Sequence, residues 1–75
     1  MNKNRRKMIE NIITMLDKAK VSLEDVLSEE EDYFNNMPEN LQGSIRGTES
    51  EEAIDMLSEA VDNLNNCIDN LMEIN

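Results

Sequence analysis

The chain has 75 residues, a formal net charge of −10 at pH 7, one cysteine and no histidine. One domain at most fits that length, and Cys67 alone excludes an intrachain disulfide and, without histidine, a Cys/His zinc site. A chain this short buries little of its surface, so with neither disulfide nor metal its expected route to stability is association.

The charge is uneven. Residues 1–20 carry six basic and two acidic side chains, whereas residues 21–75 carry only Arg46 against fifteen carboxylates. An acidic body disfavours direct nucleic-acid binding, because phosphate contact needs a surplus of Lys and Arg. It permits the inverse role, a carboxylate surface that occupies another protein's basic groove. A lone cysteine fits a reducing compartment. The segment after Lys3, Arg5, Arg6 and Lys7 includes Glu10, Asn11 and Asp17 and is too polar for a signal peptide. No stretch approaches the ~20 apolar residues of a membrane span, so no membrane association is expected and the expected location is the cytoplasm.

The first apolar series is Ile9, Ile12, Leu16, Ala19, Leu23, Val26, Tyr33 and Met37, with Glu30 as its interruption. A second row, Ile13, Lys20, Leu27 and Phe34, runs beside it at steps of seven. Together they predict a helix over about 4–35 with a wide apolar stripe, roughly 48 Å long at 1.5 Å per residue. The basic residues 3–7 stand at the wrong end of this helix for its own dipole but the right end for an antiparallel neighbour. There they would meet Asp69, Glu73 and the terminal carboxylate.

Residues 36–48 read as a polar loop. Pro38 cannot continue the helix, and Gly43 and Gly47 admit positive φ. At this length the loop exceeds what a helix–helix turn needs. Thr48 followed by Glu51 forms a capping box, and Glu49, Glu51 and Glu52 suit a first helical turn. A second helix is therefore expected over about 49–73. Its stripe is Ala53, Leu57, Ala60, Leu64, Cys67, Leu71 and Ile74, with Ile54, Val61 and Ile68 alongside.

Both stripes are wider than one helix can cover. The expected fold is all-α: a single antiparallel two-helix hairpin that pairs into a four-helix bundle. Ile9, Ile12, Leu16, Leu23, Leu57, Leu64 and Leu71 are the expected oligomer contacts.

Candidate chemistry is sparse. The run Glu29, Glu30, Glu31, Asp32 ahead of Tyr33 and Phe34 reads either as a solvated helix face or as a contact surface with aromatic anchors. No nucleophile–base constellation, EF-hand loop or Glu-x-x-His pair occurs, so no catalysis, metal or cofactor is expected. Asp55, Asp62 and Asp69 recur every seven residues as a solvated stripe. Ser44, Arg46 and Thr48 at a helix start form either a plain cap or a weak anion site.

The stretch Asn-Met-Pro-Glu-Asn-Leu-Gln-Gly-Ser at 36–44, within residues 30–62, resembles a loop shared by small acidic helical-hairpin proteins of phages and mobile elements of Gram-positive bacteria. The resemblance implies a phage or integrated-element origin and, by analogy, inhibition of a host system such as a defence system. The expected function is that of a homo-oligomeric, non-enzymatic interaction protein engaging a host or phage protein in the host bacterial cytoplasm. Its expected contacts are Glu29, Glu31, Asp32, Tyr33, Phe34, Pro38, Glu39, Asn40, Gln42 and Arg46. One alternative is sequestration of a nucleotide signal, with Tyr33 stacking on the base and Ser44, Arg46 and Thr48 holding phosphate. Another is a structural assembly adaptor.

Overall fold

The computed structural model describes residues 1–74 and contains helices α1 (Lys3–Asn35), α2 (Glu39–Gln42) and α3 (Ile45–Met72). Asn2 caps α1, its side-chain oxygen accepting from the Arg5 N–H at 2.8 Å. The helix stops two residues before Pro38, whose ring disfavours helical backbone in the residue ahead of it. The Pro38 carbonyl then accepts from the Leu41 and Gln42 N–H groups, which makes the single turn of α2.

Gln42 closes this corner. Its side-chain amide donates to the carbonyls of Met37 (3.1 Å) and Phe34 (3.4 Å). These are carbonyls at and just beyond the end of α1; that of Phe34 also accepts from the Met37 N–H at 3.1 Å.

The second long helix starts earlier than expected. Ser44, not Thr48, is the N-cap: its hydroxyl accepts from the Gly47 N–H at 3.3 Å, and its carbonyl accepts from the Thr48 N–H at 2.9 Å. Glu49, Glu51 and Glu52 consequently fall beyond the first turn, which holds no acidic residue. The glycines also differ from expectation, since neither has positive φ. Gly47 is buried inside α3 because α2 crosses it closely: a Cβ there would run into the Gln42 carbonyl. Gly43 faces open space.

α1 and α3 pack antiparallel along their length. Near the loop the Ser50 hydroxyl donates to Glu30 Oε2 at 2.7 Å, and at the other end Ile9 and Ile13 share a cleft with Leu71. The hairpin measures 58 × 14 × 13 Å with a radius of gyration of 17.1 Å, against about 11 Å for a compact domain of this length.

The seam follows one strict heptad on each helix. On α1 the less exposed positions are Ile9, Ile13, Leu16, Lys20, Leu23, Leu27, Glu30 and Phe34. On α3 they include Gly47, Ser50, Ile54, Leu57, Val61, Leu64, Ile68 and Leu71. Only one hydrophobic side chain, Ile68, is buried among the described residues. The row Ile12, Ala19, Val26 and Tyr33, expected in the stripe, lies outside the seam and is exposed.

Among the described residues the ion pair is Lys20 with Asp17 at 3.8 Å, so the basic residues 3–7 make none with Asp69 or Glu73. Exposed charges gain little from pairing in water. The terminal carboxylate lies outside the described residues. Among them, no helix is long and apolar enough to cross a membrane.

Candidate functional site

The two flanks of the hairpin differ sharply. In an antiparallel pair an approximate twofold axis relates the helices, so equivalent heptad positions fall on the same side. The positions just before one seam row are Ile12, Ala19, Val26 and Tyr33 on α1, and Arg46, Ala53, Ala60 and Cys67 on α3. Apart from Arg46 at the loop end this flank is apolar, with Met8, Met15 and Met56 exposed along its edges beside Glu29 and Glu49. The positions just after the other seam row are Glu10, Asp17, Glu24 and Glu31 on α1, and Glu51, Ser58, Asn65 and Met72 on α3. That flank is polar and mostly acidic. Near the loop each side carries its own cleft: Tyr33 and Ala53 border one together with Glu30, Arg46, Glu49 and Ser50, and Glu31 and Glu51 border the other.

The candidate site is the cleft on the acidic flank near the loop. It is open, about 330 Å³ in volume, and lined by Glu31, Phe34, Asn35, Glu51, Ile54 and Asp55. Glu51 and Asp55 sit four apart on α3, which sets their Cβ atoms about 5–6 Å apart on one face. Phe34 and Ile54 lie in the seam and give the cleft an apolar floor beneath three carboxylates. Such a site can receive a cationic side chain with an apolar stem, as Arg and Lys have. Among the described residues no group of three or more His, Cys, Asp or Glu is placed to hold a metal ion.

The structure divides the expected contact residues. Glu31 and Phe34 meet in the acidic cleft, while Tyr33 and Arg46 border a groove at the loop end on the apolar side. Glu29 belongs to the heptad row of Met8 and Met15, toward the apolar flank, and Asp32 faces outward. Pro38, Glu39 and Asn40 form the exposed tip. Gln42 is half-buried with its amide occupied by the cap of α1. The partners of Glu31 in the cleft, Glu51, Ile54 and Asp55, carry no contact signal in the sequence. The i, i+4 spacing of the two carboxylates is legible there, but Glu51 reads as half of a capping box.

The expected oligomer contacts Ile9, Leu16, Leu23, Leu57, Leu64 and Leu71 stand half-buried in the chain's own seam, whereas Ile12 is 41% exposed on the apolar flank. The groove at the loop end, about 800 Å³, does bring Tyr33, Ser44 and Arg46 together. However, the Ser44 hydroxyl donates to the Leu41 carbonyl and accepts from Gly47, and Glu30 and Glu49 border the neighbouring cleft with Arg46. Thr48 is absent from that lining. The hydroxyl is engaged and the carboxylates repel phosphate, so this arrangement does not favour the nucleotide reading.

The fold and flanks define the class: an extended helical hairpin with one apolar and one acidic side. No protein-family model matches the chain, and no curated protein and no solved structure matches it.

Proposed function

We propose that the chain is a non-enzymatic interaction protein of phage or mobile-element origin, an oligomer of hairpins that inhibits a basic host protein in the bacterial cytoplasm. Its smallest assembly is a four-helix bundle. The observation that carries this reading is the acidic cleft: Glu31, Glu51 and Asp55 over Phe34 and Ile54. Carboxylates held on rigid helices present fixed negative charge, as nucleic-acid phosphates do, to a groove lined with Lys and Arg. The tip at Pro38, Glu39 and Asn40 is exposed at the same end of the hairpin. The resemblance of residues 36–44 to the phage loop supports the origin.

The test is capture of a partner from host lysate on the immobilised chain. A basic partner is expected, retained at low salt and released at high salt. Joint reversal, Glu31→Lys with Asp55→Lys, should abolish capture while helicity persists. Capture that survives the reversal would remove this reading.

A further inference from the structure

We propose that the apolar flank is covered by a second copy of this chain packed head to tail, the loop end of one hairpin over the open end of the other. This rests on the oligomeric reading above and adds the face and the direction. The first support is area. The hairpin exposes 5860 Å², whereas a compact monomer of its mass exposes about 4700 Å². The excess, about 1200 Å², is more than the roughly 800 Å² per partner of a standard interface. The charged flank is a poor place to lose it; the apolar flank is the place that gains by burial.

The second support is shape. With Glu30 opposite Ser50 as the register mark, Ala19 and Ala60 stand at one level, halfway along the hairpin. Two flanks can approach most closely at their middle, where both side chains are small. Ile12 and Val26 then fall at equal distances on either side, so in a head-to-tail pair each meets the other's counterpart.

The third support is charge, and it selects the direction. Residues 21–60, the loop half, carry twelve carboxylates against Arg46. Residues 1–20 and 61–75, the open half, carry six cations against five carboxylates. Head-to-head packing sets −11 against −11, whereas head-to-tail sets −11 against +1. The basic residues 3–7 of one copy then overlie the other's acidic loop end.

Sedimentation equilibrium and thiol cross-linking of the full chain test this. A species of twice the 8.6 kDa chain mass is expected. Val26→Asp, on the apolar flank, should raise its dissociation constant by about a hundredfold, and Glu24→Gln, on the other flank, should not. Head to tail, Cys67 of one copy lies level with Ala53 of the other, whereas Cys67 and Ala53 of one chain are about 21 Å apart along α3. A short bismaleimide should therefore cross-link Ala53→Cys protein into dimers and leave the parent protein uncrosslinked. The cross-link decides the matter should Val26→Asp not fold. A monomer overturns the proposal. So does a dimer indifferent to Val26→Asp, or one that cross-links through Cys67 alone. A monomer that still captures a basic partner would sink this inference and the oligomeric part of the proposed function but spare recognition at the acidic cleft; a dimer that captures none would spare this inference and sink that recognition.

Discussion

Gly47 and Gly43 lie four residues apart and do different things. Gly47 lets the α2 backbone cross α3, because hydrogen is the only side chain that clears the Gln42 carbonyl. Gly43 has φ −85° and open space around its Cα. Gly47→Ala gains about 1 kcal/mol of helix propensity but forces the corner apart, and overpacking of this kind typically costs about 1–3 kcal/mol. A net loss in thermal stability is expected. Gly43→Ala should stabilise by about 0.4–1 kcal/mol through the unfolded chain. Paired thermal melts check both, and equal shifts would contradict the crossing. Gln42 acts at the same corner: Gln42→Ala removes both side-chain hydrogen bonds to the end of α1 and should cost about 1 kcal/mol.

At the scale of elements, both long helices are legible in the sequence, because apolar residues recur at three and four and Pro38 ends the first; the start of α3 at Ser44 is not, because Thr48 and Glu51 read as a capping box. Which rows face inward is not legible. Three adjacent rows of α1 are largely apolar, and the cleanest of them, through Ile12, Ala19, Val26 and Tyr33, is the one left outside. The choice is made by α3, whose seam row Ile54, Val61, Ile68 is bulkier than Ala53, Ala60, Cys67. Burying the larger side chains stabilises more, and α1 accepts Lys20 and Glu30 in its seam as the consequence. Glu30 interrupts an apolar stripe, and Ser50, only 4% exposed, accounts for it by donating to its carboxylate. This pair sets the antiparallel register, in the way single polar seam residues do in coiled coils. Ser50→Ala should cost about 1 kcal/mol by leaving the half-buried carboxylate without its donor. Glu30→Leu with Ser50→Ala should recover that loss or exceed it. A double-mutant cycle from denaturant melts measures the coupling, and additive effects would contradict a register role. The acidic cleft is half legible. Glu31 and Phe34 stand together in the sequence, but Glu51 and Asp55 join them only once the hairpin is closed.

The whole molecule is long, thin and poorly filled, with Ile68 as the one buried hydrophobic residue among those described. Stability that depends on a second copy must depend on concentration, so the melting temperature should rise as the protein is concentrated. Salt separates the repulsion within each chain from the attractions at its surfaces. Within each loop half a net −11 is confined to one end of the rod, and this self-repulsion scales with the square of that charge. The attraction between copies scales with −11 times +1, an order of magnitude less. Screening at about 0.15 M salt shortens the Debye length to about 8 Å and weakens the self-repulsion far more than the attraction. Added sodium chloride should therefore raise the melting temperature, even as it weakens capture of a basic partner at the acidic cleft. Opposite salt responses from melting and capture would place assembly on the apolar flank and recognition on the acidic one. Responses of the same sign would mean that one surface serves both.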